Sequence, residues 1–201
     1  MIRLLTILAA LAAVVPAAAL AQERLVLAPY PGPPAWKEVT HKVAGLKFLR
    51  EFIPADQRIE AYRDILTAQS FPEQRGADPA RYLNAVFQGA AGACDGVRVN
   101  GPKLAREDGH AVAYGQVYCA RQKGQAFGVT MLFKVFAGDD SLYVVQREFR
   151  TPPQDAPGVM SASPAQSAQL LALVRAQAAA DRYLAGQVYL CGTRSADRRC
   201  R

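Results

Sequence analysis

The sequence lacks the short motifs that mark most catalytic sites. Its 201 residues include no HExxH pair, no GxSxG nucleophile elbow and no P-loop. These absences remove support for a zincin, an α/β-hydrolase nucleophile and a nucleotide-binding phosphate loop. Only two histidines are present, His41 and His110, and neither belongs to a metal-ligand spacing. We therefore predict no cofactor and no metal, and we favour a protein that is not an enzyme.

Long apolar runs are also scarce, which argues against a polytopic membrane protein. The stretch nearest to a span covers residues 4–15, and its 12 residues fall short of the roughly 20 that a bilayer span needs. Arg3 precedes this run, Pro16 ends it, and Ala19-Leu20-Ala21 forms a small-x-small cleavage site. The pattern predicts a secretory signal peptide over residues 1–21 and a periplasmic or secreted mature protein. An uncleaved N-terminal anchor is the alternative.

Acidic residues are outnumbered by basic ones. The chain has 24 Lys and Arg against 17 Asp and Glu, a formal charge of +7, and without residues 1–21 it has 180 residues and a charge of +6. This balance favours anionic partners, and export makes nucleic acid a poor candidate among them. We predict an envelope protein or an anionic envelope surface as partner, with no transmembrane segment after signal cleavage. The alternative is a charged surface that serves solubility alone.

Cysteine is sparse, but its number is even. Cys94, Cys119, Cys191 and Cys200 all follow the predicted signal peptide, and an even count in an exported protein is typical of disulfides. No CxxC motif indicates a redox role, and the wide spacing does not suit zinc. Of three possible pairings we favour Cys94–Cys119 with Cys191–Cys200. The first would tie a helix end to a strand, and the second would close the C-terminal tail.

The mature chain begins with a proline-rich segment and continues as one domain. Residues 22–35 hold four prolines and predict an extended linker. Residues 36–201 form a single predicted α+β domain without internal repeats. Two short strands begin it, on either side of the Ala44-Gly45 turn, because apolar and polar residues alternate there.

Two helices are predicted next. Asp56 can cap the first helix. Its stripe at a spacing of three to four consists of Ile59, Tyr62, Ile65, Leu66 and Gln69. Asp78 followed by Pro79 predicts the start of the second helix. The buried face of that helix should hold Tyr82, Leu83, Val86, Phe87 and Ala90.

The region after these helices has the clearest pattern. Residues 112–123, 125–138 and 141–150 form three runs in which many apolar residues recur at every second position, and short polar turns separate the runs. This pattern predicts an antiparallel meander with one face buried under helices. A further strand around residues 97–99 precedes the meander.

A last helix closes the predicted domain. Ser163 and Gln166 form a capping box around Pro164. The inner face should consist of Ser167, Leu170, Leu171, Val174 and Ala178. The helix should end near Gly186, and residues 188–190 can add an edge strand. The element order is then ββ-αα-βββ-α, an α+β fold in which helices cover an antiparallel β-meander.

One polar cluster offers a catalytic alternative. Glu107, Asp108 and His110 bring two carboxylates and an imidazole together in sequence, as an exported hydrolase would need. Such a role requires a cleft in which the imidazole lies within about 3.2 Å of a carboxylate. The competing interpretation is a polar β-turn, which Asp108 followed by Gly109 favours. We assign no catalytic residue from the sequence.

Two segments carry a resemblance to known proteins. Glu51-Phe52-Ile53-Pro54-Ala55-Asp56-Gln57 runs into the first predicted helix, and Cys94-Asp95-Gly96-Val97 precedes the Cys-bearing meander. They resemble small uncharacterised secreted proteins of Gram-negative bacteria, and the element order over residues 46–190 resembles the Mog1/PsbP-like α+β fold. That resemblance implies a binding or assembly role and carries over no site residues. We therefore predict an exported soluble α+β protein that acts as a binding or accessory factor in the cell envelope.

Overall fold

The computed structural model describes residues 23–30, 34–158, 167–192 and 195–200. The predicted signal peptide at 1–21 and the predicted capping box at 163–166 lie outside these ranges. Neither helix within the described ranges has the length and apolar character that a bilayer span requires.

Within the described ranges, seven antiparallel strands form the main sheet, and two helices pack on it. In chain order the strands are β2 (Trp36–Ala44), β3 (Lys47–Pro54), β4 (Asp64–Phe71), β5 (Cys94–Glu107), β6 (His110–Gln122), β7 (Gly128–Ala137) and β8 (Leu142–Thr151). Across the sheet the order is β2-β3-β4-β8-β7-β6-β5. A small second sheet pairs β1 (Arg24–Leu27) with β9 (Val188–Cys191). The helices are α1 (Pro79–Ala93) and α2 (Ser167–Gln187). The predicted α+β class is confirmed.

Both faces of the main sheet are covered, which corrects the prediction of one buried face. Along β7, Phe133 and Val135 pack with α1, whereas Leu132 and Phe136 pack with α2 and β9. A strand covered on both sides is apolar at successive positions, which explains why Leu132 and Phe136 interrupt the polar half of the alternation. The two sides are termed the α1 face and the α2 face below.

The first predicted helix is wrong. Ile59–Ala61 makes a single 3₁₀ turn, and Asp64–Phe71 is strand β4. Since β4 lies between β3 and β8, it needs apolar side chains on both faces, and Ile65 and Leu66 are both buried. Adjacent apolar residues imitate one stripe of a helix, and here pairing with two neighbouring strands overrides the local pattern.

Helix α1 follows its prediction. The Asp78 carboxylate accepts a hydrogen bond from the Ala80 amide at 2.9 Å and so caps the helix, with Pro79 in the first turn. Leu83 and Phe87 are buried against β6 and β7. The helix lies so close to β6 that a Cβ at Gly115 would come within 2.8 Å of the Phe87 ring. Glycine at that position therefore permits the packing.

Helix α2 lies on the opposite face, and its predicted inner side is wrong. Ala180, Tyr183 and Leu184 are the buried residues of this helix. The residues predicted to face inward are not buried. Four of them are exposed and Leu170 is half-buried; the exposed ones are Ser167, Leu171, Val174 and Ala178. Alanine and glutamine dominate the helix, so its apolar periodicity is weak, and contact at its C-terminal half selects the buried side. Space remains between its N-terminal half and the sheet.

The two disulfides favoured from the sequence are present. Cys94, directly after α1, is bonded to Cys119 of β6, and Cys191 at the end of β9 is bonded to Cys200. Strand β9 pairs with β1 and not with the main sheet, so it is not an edge strand of that sheet. Part of the predicted 22–35 linker is thus strand β1. Its partner β9 is in turn joined to the C-terminal tail by the Cys191–Cys200 disulfide.

A buried lysine fastens the C-terminal end of α2 to the sheet. The Lys134 ammonium group donates to the carbonyl oxygens of Leu184 at 2.9 Å and Val188 at 2.8 Å. It also lies 2.7 Å from a carboxylate oxygen of Glu107. Because the last carbonyls of a helix lack partners within the helix, a cation there satisfies them. Burial lowers the pKa of Lys134, and the Glu107 carboxylate opposes that shift.

A second polar group lies half-buried on the α1 face. The Glu148 carboxylate of β8 accepts a hydrogen bond from the Tyr62 hydroxyl at 2.8 Å. Burial raises the pKa of Glu148, while the Tyr62 hydrogen bond and the Arg150 charge oppose the shift. The folded protein therefore binds this proton more tightly than the unfolded chain does.

We expect Lys134→Met to lower the free energy of unfolding by about 3 kcal/mol, because Glu107 and two backbone carbonyls lose their cation. Lys103→Met, on the exposed edge strand β5, is the matched control and should change that free energy by less than about 0.5 kcal/mol. Urea unfolding followed by circular dichroism measures both. Equal unfolding midpoints for the two variants would contradict an anchoring role for Lys134.

We expect Glu148→Gln to stabilise the protein at neutral pH and to have little effect below the ordinary glutamate pKa of 4.5. Since the folded-state pKa is raised, the wild type loses stability as the pH rises from that value through the folded pKa, and the amide removes this loss. Urea unfolding from about pH 4 to pH 8 measures the difference. The exposed Glu60→Gln is the control. A difference that does not grow with pH would count against the shift.

Candidate functional site

A cleft of about 520 Å³, termed the α2 cleft below, lies between the N-terminal half of α2 and the end of the main sheet. At this end of the sheet β4 begins and β8 ends. The apolar walls include Phe149, Pro152, Pro153, Leu170, Leu173 and Ala176. A largely apolar cavity of this size with a few polar groups is typical of a ligand-binding site.

A buried ion pair lies beside the cleft, with its acidic member in the cleft lining. Arg147 is only 2% exposed, and two of its three guanidinium nitrogens bind Asp64, at 2.5 Å from Nε to Oδ1 and 2.7 Å from Nη2 to Oδ2. Asp64 lines the cleft. Burial raises the pKa of Asp64, and Arg147 opposes that shift. Because Arg147 binds both carboxylate oxygens, Asp64 gives the cleft wall a polar group held in a fixed orientation.

Aromatic rings enclose the same guanidinium. Arg147 Cζ lies 4.2 Å from the ring centroid of Tyr30 and 4.0 Å from that of Trp36. Tyr30 in turn packs against Tyr183 of α2, with ring centroids 4.8 Å apart. Cation–π contacts gain strength when water is excluded. The N-terminal segment, the sheet and α2 therefore meet at Arg147, next to the cleft.

Charged and amide side chains border the apolar walls. These residues are Asp56, Gln57, Arg63, Gln154 and Asp155. Arg150 also lines the cleft, and its guanidinium Cζ lies 3.7 Å from the Tyr62 ring centroid and 4.6 Å from that of Phe127. Both acidic and basic groups thus surround an apolar interior, so the cleft suits a ligand of mixed character.

The polar cluster that offered the catalytic alternative does not assemble. His110 is 2% exposed, and its Nδ1 lies 3.8 Å from Oε1 of Glu23, beyond the reach required of a catalytic pair. The Glu107 carboxylate accepts a hydrogen bond from the Tyr114 hydroxyl and forms an ion pair with Lys134. The three side chains thus have three separate sets of partners.

The competing β-turn interpretation is confirmed. Asp108 and Gly109 connect β5 to β6 with φ angles of +48° and +87°, as a two-residue hairpin turn with both central residues left-handed requires. The Asp108 carboxylate accepts hydrogen bonds from the Ser195 hydroxyl and from the Ala196 amide at 2.6 Å. The turn therefore fastens the C-terminal tail.

The other histidine is also remote from the cleft. His41 on β2 is largely exposed, and its Nδ1 lies 3.3 Å from the Glu38 carboxylate. Sequence reasoning missed the cleft residues, and two signals for them were present. Arg147 is a charged residue inside an apolar strand, and Pro152-Pro153 follows that strand directly.

No protein-family profile and no curated protein sequence matches the chain. Among solved structures, the crystal structure of LpqN, involved in cell envelope biogenesis of Mycobacterium tuberculosis, is similar at a TM-score of 0.40 and 14% sequence identity. The similarity covers 85% of this chain and 84% of that chain. A TM-score of this size does not assign the chain to a family or give it a function, so the resemblance to the Mog1/PsbP-like fold stays a prediction.

Proposed function

We propose that this chain is an exported, non-enzymatic binding or accessory protein of the cell envelope that binds its partner in the α2 cleft. The observation that carries the proposal is the cleft itself, with its apolar walls, its mixed charged border and Asp64, paired with Arg147, in its lining. Preformed, largely apolar clefts with a few placed polar groups are the usual sites at which proteins hold a ligand.

The polar groups of the cleft suit recognition better than catalysis. Asp64 is paired with Arg147 through both carboxylate oxygens, and the arginine charge stabilises its ionised form, which makes it a weaker acceptor for a proton from a ligand. Arg63 and Asp155, at the border, are exposed. These two side chains can replace their contacts with water by contacts with the polar groups of a partner at a small cost in free energy.

The disulfides support a place outside the cytoplasm. Both join residues of the folded domain, Cys94 with Cys119 and Cys191 with Cys200, and such bonds persist in oxidising compartments. The predicted signal peptide at 1–21 and the basic charge of the mature chain agree with an envelope location. A periplasmic or secreted protein is therefore the location we propose.

Site-specific photo-crosslinking tests the α2 cleft. A photoreactive phenylalanine derivative at Ala172, which lines the cleft, should form discrete adducts with an envelope component in exporting cells. The same probe at Ala178, an exposed alanine further along α2, is the matched control and should give at least several-fold fewer. Mass spectrometry of the adducts identifies the class of partner.

Two results would overturn this proposal. One is the same adduct pattern at positions 172 and 178, because contact would then not depend on the cleft. The other is the absence of adducts at 172 when the protein is exported and folded with both disulfides formed.

A further inference from the structure

The turn between β2 and β3 carries apolar side chains where a hairpin turn usually carries polar ones. Residues 42–47 read KVAGLK, all six are exposed, and they are termed the hairpin tip. Val43 is 62% exposed and Leu46 is 40% exposed. Gly45 has a φ of +60°, which the first central position of a tight two-residue turn demands. That geometry explains Gly45 but not its apolar neighbours.

A buried hydroxyl holds the hairpin tip in position. Ser70 Oγ of β4 accepts a hydrogen bond from the Phe48 amide at 2.9 Å and donates one to the Leu46 carbonyl at 2.7 Å. Because Ser70 is buried, water competes poorly for these bonds. The apolar side chains of the tip are therefore displayed by a preorganised turn.

An apolar groove of about 430 Å³ continues from the hairpin tip across the sheet. Beyond the tip its apolar lining includes Leu25, Leu27, Phe48, Ala68 and Tyr143. Glu23 also lines the groove, but its carboxylate accepts hydrogen bonds from the Asp139 and Asp140 amides at 2.7 and 2.8 Å. Tip and groove form one continuous apolar patch, of the kind that marks an interaction surface.

Basic side chains surround this patch. Lys42 and Lys47 flank the tip, and Arg24 lines the groove. Lys47 lies 3.5 Å from Glu73, but both side chains are more than half exposed, so this pair contributes little energy and can open. Aliphatic side chains within a basic border match an anionic lipid surface, because the aliphatic groups enter the acyl boundary and the ammonium groups stay with the phosphates.

We propose that the hairpin tip docks this protein on a membrane surface that contains anionic phospholipid. Val43 and Leu46 insert at the boundary between headgroups and acyl chains, and Lys42 and Lys47 contact lipid phosphates. The docking goes beyond the proposed function, because no residue of the hairpin tip lines the α2 cleft. Each of the two proposals can therefore fail without the other.

Vesicle co-sedimentation of the purified mature protein tests the docking. The protein should bind vesicles of phosphatidylcholine mixed with phosphatidylglycerol and should bind pure phosphatidylcholine far less. Val43→Ser with Leu46→Ser should lower the partition coefficient about tenfold or more, since two aliphatic side chains no longer insert. Lys42→Gln with Lys47→Gln should lower it by about 25-fold, at about fivefold per lysine.

Matched variants separate docking from general stickiness. Leu171→Ser with Val174→Ser removes a second exposed apolar pair, on α2, where the residues are 49% and 45% exposed, and should leave vesicle binding unchanged. Ala172→Trp fills the α2 cleft and should also leave it unchanged. Thermal unfolding shows whether each variant is folded, and the lysine pair provides a second test if the tip serine variant is not.

Three results would overturn the docking. These are a wild-type protein that does not sediment with anionic vesicles, equal binding to both kinds of vesicle, and tip variants that bind as the wild type does. A photo-crosslink from position 43 to an envelope protein, without vesicle binding, would assign the hairpin tip to a protein partner instead.

Discussion

Two cations buried on one face of a β-sheet are the constraint on which the rest of this structure depends. Lys134 pairs with Val145, and Arg147 pairs with Leu132 in the same register, so both side chains point to the α2 face. A buried charge without partners destabilises a fold by several kcal/mol. Whatever covers this face must therefore bring anions, carbonyl oxygens or aromatic rings to two fixed positions.

The elements of the α2 face meet that demand in different ways. The C-terminal end of α2 and the start of β9 supply carbonyls to Lys134, and Glu107 adds a charge. Around Arg147, β4 contributes Asp64, the N-terminal segment contributes the Tyr30 ring, and the start of β2 contributes the Trp36 ring. The contacts with Lys134 anchor α2 near its C-terminal end, and the α2 cleft lies between the N-terminal half of the helix and the end of the sheet.

Local signals predicted only the parts of the fold that local interactions decide. The Asp78-Pro79 cap and the strands of the meander were readable because capping and alternation act within a few residues. Strand β4 could not be predicted in this way, because it is fixed by pairing with β3 and β8, and β8 is far away in the sequence. The inner side of α2 was not readable either, because Lys134 and the sheet select it and the helix has no strong stripe of its own.

The candidate site was harder to predict than the fold. The α2 cleft draws its lining from the ends of two strands, a proline-rich loop and one helix, and no sequence spacing brings these together. The catalytic alternative built on Glu107, Asp108 and His110 failed for the opposite reason. They are close in sequence, but a tight turn sends each to different partners, so proximity along the chain did not become proximity of functional groups.

Amide hydrogen exchange of the native protein, followed residue by residue, tests the central claim most directly. If the buried cations fix α2 to the sheet, the amides of Tyr183 and Leu184 should open only with global unfolding, as those in the centre of β7 do. Exchange of these helix amides through local opening, at a free energy far below that of β7, would contradict the account. The α2 cleft would then not be a preformed site.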